Sequence, residues 1–125
     1  MPREIKFRAK SDIGGWWIYS NGYYYDRFNY WFTIPDKSNE AIAWANHHII
    51  DPKTLGEYIN LKDKDNKEIF EGDRVSYAGL NGTVIYDENT CSFKVKSDGR
   101  QRVQYQPLHK TCQAQITVIG NIYES

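Results

Sequence analysis

RVSYAGLNGTVIYDENTCSFKV, residues 74–95, decides the fold class. Within it Val75 and Tyr77, Val84 and Tyr86, and Phe93 and Val95 mark short runs of β-branched and aromatic residues, separated by Gly79-Leu80-Asn81-Gly82 and Asp87-Glu88-Asn89. Apolar residues at every second position are what a strand with one buried face requires, because successive side chains leave a pleated backbone on opposite sides. Gly, Asn and Asp between such runs are turn formers. Val103 and Tyr105 repeat the pattern after Ser97-Asp98-Gly99. Four short antiparallel strands so spaced predict a small barrel-like or curled meander in the C-terminal half.

The pattern extends in both directions. Downstream, Ile116–Tyr123 reads as a final strand with Ile116, Val118 and Ile122 in one phase and Gly120 at a bulge or close contact. Upstream, Leu55–Leu61 reads as a strand ended by a polar surface turn, Lys62–Lys67, and Asp51-Pro52 breaks the chain before it. Glu40–Ile50 fits a strand or a short helix, its three alanines spoiling either period, with strand favoured; Pro35–Asn39 is a turn. At the N-terminal end Ile5, Phe7 and Ala9 alternate with Lys6, Arg8 and Lys10 until Gly14-Gly15. Trp16–Ser20 is the next strand. Asn21-Gly22 is the favoured pair for a two-residue hairpin and predicts that this strand pairs with the one after it. Beyond that turn Tyr24, Phe28, Tyr30, Phe32 and Ile34 share one parity and are read as core, whereas Tyr23, Tyr25, Arg27, Asn29 and Trp31 share the other.

Composition agrees with sheet. Four Trp, ten Tyr and five Phe stand against one Met, a bias toward pleated surfaces. The chain of 125 residues is read as one mainly β domain, 1–125, able to fold without disulfide or metal staples. Sixteen basic residues balance sixteen acidic ones, so the molecule as a whole presents no long-range field to a polyanion. Met1-Pro2-Arg3-Glu4-Ile5-Lys6 lacks the apolar stretch of a secretory signal, and the longest charge-free run, Ile13–Tyr25, is too short and polar to cross a bilayer. A cytoplasmic location is expected. There Cys91 and Cys112 are expected as free thiols.

Motifs for catalysis and metal binding are thin. Asp63-Lys64-Asp65 begins like a calcium loop, but Lys67, Glu68 and Arg74 stand where a ligand, the turn glycine and the bidentate acid belong, so the run is read as a solvated turn. Zinc has only His47, His48, Cys91, His109 and Cys112 to draw on, of which only His109 and Cys112 are closely spaced. Cys91, two residues before Phe93, is read as a small buried hydrophobe rather than a nucleophile. No cofactor, metal site or enzymatic activity is expected.

Two surfaces invite binding. If Ser97-Asp98-Gly99 closes a three-residue hairpin loop, Lys96 faces Arg100 and Lys94 faces Arg102, while Phe93 faces Val103 and Cys91 faces Tyr105. Lys94, Lys96, Arg100 and Arg102 then share one face, a candidate site for weak, salt-sensitive contact with nucleic acid; the competing reading is a splayed, solvated edge. The second surface is the stripe Tyr23, Tyr25, Arg27 and Trp31, a residue mixture suited to a protein partner or to self-association, unless another layer of the domain covers it.

Three blocks carry a family resemblance. Arg3-Glu4-Ile5-Lys6-Phe7-Arg8-Ala9, the pair Leu61-Lys62-Asp63-Lys64 and Glu68-Ile69-Phe70-Glu71-Gly72-Asp73-Arg74-Val75, and Val118-Ile119-Gly120-Asn121-Ile122-Tyr123-Glu124 resemble, in that order, the YopX family of phage and prophage proteins. The resemblance implies a mainly β fold and a viral origin within a bacterial host, and it implies no activity. Ile59-Asn60-Leu61 stands where the family has Thr-Gly-Leu, and Asp65-Asn66 where it has Asn-Gly. Asn best tolerates the left-handed backbone that glycine serves, so both turns are expected to survive.

Overall fold

In the computed structural model, which describes residues 3–33, 47–77, 79–98, 105–108 and 110–123, the alternating segments are strands and their pairings are antiparallel. The chain divides into two units, Met1–Glu57 and Tyr58–Ser125, each with its own buried apolar cluster. Among the described residues the only helical segments are two 3-10 turns, Pro52–Thr54 and Lys110–Gln115, and no helix is long and apolar enough to cross a membrane.

In the first unit, β1 (Phe7–Lys10) pairs with β2 (Trp17–Ser20) on one side and with Gly56 and Glu57 on the other. The β1–β2 turn is set by Ser11, whose N–H donates to Trp16 O at 2.8 Å and whose carbonyl accepts from Gly15 N at 3.0 Å. Gly15 has φ +73, the left-handed geometry this reversal needs. A second sheet, in the order β3-β4-β5, contains β3 (Tyr23–Tyr25), β4 (Tyr30–Thr33) and β5 (His47–Ile50). Ala9, Ile18, Phe32 and Ile50 are buried together, with Phe7, Tyr30 and Leu55 packed around them. Burial of each large side chain in this cluster contributes about 1.5–3 kcal/mol.

Two expectations are corrected here. Asn21-Gly22 is not a hairpin turn: β2 pairs with β1, and β3 lies in the other sheet. Neither residue has positive φ; instead the Asn21 amide donates to Ile5 O at 2.9 Å, and Ser20 and Gly22 exchange side-chain and backbone hydrogen bonds, making a corner between sheets. The turn preference is a local term, and it loses to the burial of Ile18 and Phe32 from separate sheets in one core. Arg8 is not solvated despite its parity. It is 7% exposed, with its guanidinium 4.6 Å above the Trp17 ring, an arrangement that stabilises a cation away from bulk water.

In the second unit, β6 (Gly56–Lys62) continues from Tyr58 and pairs with β7 (Glu68–Phe70) through an irregular register. A five-stranded sheet follows in the order β11-β10-β9-β8-β12, with β8 (Asp73–Tyr77), β9 (Leu80–Asp87), β10 (Ser92–Ser97), β11 (Tyr105–Pro107) and β12 (Ile116–Asn121). Sequential neighbours β8 to β11 form the meander read from the sequence. The sheet is open, with β11 and β12 as edges, and no pairing among the described residues closes it into a barrel. Leu61, Ile69, Val75, Val84, Val95 and Ile116 make its core.

Glycine and asparagine placements explain several turns. The β8–β9 turn is tighter than the Gly79–Gly82 spacing predicts: Tyr77 already faces Leu80, and Gly79 has φ +84. Gly82 belongs to β9, where an added Cβ would lie 2.6 Å from Lys96 O. Gly120 lies at the expected bulge, where the β8–β12 register shifts between Val118 and Gly120. Asn60 (φ +63) and Asn66 (φ +66) adopt the left-handed geometry anticipated for the two glycine replacements.

Candidate functional site

The aromatic hairpin of the first unit is organised by Asp26. Its Oδ1 accepts from Phe28 N at 2.9 Å and Asn29 N at 2.7 Å, Asp26 N donates to Asn29 O, and Arg27 takes φ +81, so the chain reverses over Arg27-Phe28. The Oδ2 atom accepts from the Trp31 indole at 3.0 Å. The Asn29 and Phe28 amides, and then the Trp31 indole, hold the Asp26 carboxyl below the usual aspartate range. One exposed side chain thereby fixes both the turn and the orientation of a large ring.

This reversal changes which rings share a face. Across the hairpin Tyr23 faces Phe32, Tyr24 faces Trp31 and Tyr25 faces Tyr30. Tyr23, Tyr25, Tyr30 and Phe32 therefore lie on one side, Phe32 at its buried centre and Tyr23 and Tyr25 at its exposed rim. Tyr25 and Tyr30 stack with ring centroids 4.7 Å apart, and Phe7 meets Tyr23 edge-on at 5.2 Å. Tyr24 and Trp31 lie on the opposite side with Ile49, which faces Trp31 from β5. Their rings are parallel to within 7° at 6.2 Å.

The predicted stripe is thus divided. Tyr23 and Tyr25 remain exposed together, Arg27 occupies the turn, and Trp31 belongs to the other face. Tyr24 and Phe28, read as core, are exposed, Phe28 at 86%. Of the residues read as core in this segment, Phe32 is buried and Tyr30 half-buried, while Ile34 lies outside the described residues. Unbroken alternation through residues 23–34 would describe one strand, but the four-residue turn at 26–29 pairs odd-numbered residues with even-numbered ones and so exchanges the parity of the two arms. The Asp26-Arg27-Phe28-Asn29 segment carries the local signal of that reversal, through the Asx geometry that Asp favours.

The basic hairpin is also re-registered. Lys94 faces Pro107, Val95 faces Gln106 and Lys96 faces Tyr105, a register different from the one that a three-residue loop predicts. Arg100 and Arg102 lie outside the described residues. Lys94 is bound by Asp87 at 2.9 Å in a half-buried pair, and Lys96 is exposed. The Lys94 ammonium and then the Asn89 amide hold Asp87 below the usual aspartate range.

The acidic turn is more structural than its sequence suggests. Asp63 is 1% exposed, its Oδ1 accepting from Asp65 N and Lys67 N at 2.9 Å and its Oδ2 from Val118 N at 3.0 Å. Burial acts to raise its pKa, and the amides of Val118, Lys67 and Asp65, with the Lys67 charge, outweigh it and leave the carboxyl below the usual range. Asp73 is likewise buried and caps the preceding turn, accepting from Phe70 N at 2.8 Å. These acids serve backbone amides. Cys91 is exposed in a turn at φ +53, with its thiol 3.6 Å from Glu88 O, and is not the buried hydrophobe its proximity to Phe93 suggested. His109 and the side chains of His47 and Cys112 lie outside the described residues, among which no group of three or more His, Cys, Asp or Glu is placed to hold a metal.

A comparison with curated proteins gave no match. A family model described as YopX protein matches residues 6–125 and therefore includes both units, their cores, the aromatic hairpin and the Asp63 turn. This chain belongs to the YopX protein family.

Proposed function

We infer that this chain is a non-enzymatic binding module, an accessory protein of a phage or prophage in the cytoplasm of its bacterial host, that engages a protein partner or a second copy of itself through the aromatic hairpin of its first unit. The observation that carries this reading is the parallel Tyr24–Trp31 pair beside the 86% exposed Phe28, with the indole held by Asp26. Exposed rings normally forfeit burial; rings already ordered by a turn lose little side-chain entropy when a partner covers them. Tyr and Trp anchors of this kind dominate binding energies at protein interfaces.

The test is capture of partners from infected host lysate with and without nuclease, paired with light scattering for self-association. The doubly substituted chain Tyr24→Ser with Phe28→Ser is expected to lose partners or dimerisation about thirtyfold, the effect of roughly 2 kcal/mol at an anchor. Charge reversal at Lys96, Arg100 and Arg102 should leave both unchanged. The opposite pattern, with nuclease-sensitive material lost on charge reversal and retained by the Ser variant, would replace this reading with a nucleic-acid-associated one.

A further inference from the structure

β3 is the edge of its sheet, and both of its neighbours fix the direction in which its backbone groups point. Tyr23 faces Phe32, Tyr24 faces Trp31 and Tyr25 faces Tyr30, and the same register continues to Asp26, whose N–H donates to Asn29 O at 3.2 Å. Bonded and non-bonded pairs alternate along an antiparallel ladder, so Tyr24–Trp31 is the next bonded pair, while Tyr25–Tyr30 and Tyr23–Phe32 are non-bonded. This phase requires Ile49, opposite Trp31 on the far side of β4, to aim its carbonyl out of the sheet, and that carbonyl accepts from Asp12 N at 3.1 Å. The N–H and C=O groups of Tyr23 and Tyr25 therefore point away from β4, past the sheet edge. Among the described residues none takes them up.

Two other edges show what cover looks like. The β6–β7 turn covers β12, with Asp63 Oδ2 accepting from Val118 N and Lys64 N donating to Ile116 O at 2.9 Å, and Ser11 and Asp12 cover β5. The β3 edge has three exposed tyrosines and none of the lysines, prolines or bulges that keep an edge from pairing. Such an edge is completed by another extended strand. We propose that this strand is β3 of a second copy, paired antiparallel about a two-fold axis at Tyr24, so that Tyr23 of each copy meets Tyr25 of the other in a bonded pair.

This occupant rests on the reading of the aromatic hairpin as the binding surface, and its self-complementarity selects it over a foreign peptide. A two-fold axis sets a segment against its own reverse, and Tyr-Tyr-Tyr is the same in both directions. The register then places Gly22 opposite Asp26 and Asn21 opposite Arg27, so no like charges meet, and the space beside Gly22 is open. Sixteen basic and sixteen acidic residues leave no net repulsion between copies. The pairing joins two three-stranded sheets into one and brings the two Tyr24 rings, each stacked on its own Trp31, onto a common face. A three-residue ladder is short, so the association is weak, with a dissociation constant on the order of 10–100 μM.

The test is an NMR dilution series of the isotopically labelled full chain, in which the Tyr23 and Tyr25 amides are expected to shift with concentration and to exchange more slowly with solvent when concentrated. Tyr23→Lys with Tyr25→Lys sets like charges opposite in both bonded pairs and should weaken association about tenfold, as should Tyr23→Glu with Tyr25→Glu. Mixed in equal amounts, the two variants should associate again, because each ammonium then meets a carboxylate. Should either variant fail to fold, the wild-type dilution decides alone. Concentration-independent Tyr23 and Tyr25 amides, or folded variants that do not recover on mixing, overturn the β3 pairing. In that event the reading of the hairpin as a binding surface stands if the Tyr24→Ser, Phe28→Ser chain still loses a captured protein, and falls as well if it loses nothing.

Discussion

The backbone amide of Val118 donates a 3.0 Å hydrogen bond to the Oδ2 atom of Asp63, 55 residues earlier in the chain. The other carboxylate oxygen closes the β6–β7 turn through Asp65 N and Lys67 N. One buried anion therefore joins a local turn to the C-terminal strand of the same unit, and three donors keep it ionised.

Asp63→Asn is expected to destabilise the protein by about 1–3 kcal/mol at pH 7, because an amide NH₂ cannot accept the hydrogen bond that one carboxylate oxygen now takes. The pKa of Asp63 is lower folded than unfolded, so its stabilisation is fully present above the unfolded value near 4 and is lost as pH falls through the folded value. Urea denaturation across pH 2–7 should show the gap between wild type and Asn variant closing only on the acid side. A constant gap would show that Asp63 does not ionise differently on folding.

Gly82→Ala should cost about 1–3 kcal/mol, since the new methyl would meet Lys96 O and Val95 Cγ1 at 2.6 Å and a central backbone cannot yield cheaply. The same substitution at Gly22, where the space is open, should change stability by within about 0.5 kcal/mol. Chemical denaturation of both variants provides the comparison.

Asn60→Gly is expected to be near neutral, and Asn60→Val to cost about 1–2 kcal/mol, because φ +63 places a β-branched side chain against its own carbonyl. Equal stability of the two variants would mean that the β6–β7 irregularity can relax to ordinary strand geometry.

The Trp31 indole N–H resonance should titrate with a midpoint below the usual aspartate value of about 3.9, reporting protonation of Asp26. Asp26→Asn should abolish that titration and leave the buried Phe32 signals in place. A pH-independent indole resonance in the wild type would detach Trp31 from the turn.

Much of this arrangement is legible in one dimension. Val75, Val84, Val95 and Ile116 are buried as their alternation requires, Gly120 is at a bulge, and Asn60 and Asn66 take the geometry of the glycines they replace. Each of those readings depends on a residue and its immediate neighbours. The failures share a different origin. Asn21-Gly22 has the composition of a hairpin and is a corner, because the strands it connects are buried in different sheets. Tyr24 and Phe28 have core parity and are exposed, because a reversal at Arg27-Phe28 exchanges the faces of the two arms. Asp63 reads as solvated and is buried, because its third donor arrives from Val118.

The amino-acid order alone established a mainly β chain, the position of most strands, the residues able to take left-handed turns, and the family, since periodicity, turn chemistry and spaced motifs are properties of short segments. Only the tertiary structure decided which strands are neighbours, which rings are left outside, which carboxylate is buried, and that β3 is the edge of its sheet. Strand pairing is selected by the burial of side chains far apart in the chain, and that long-range term outweighs any single turn preference.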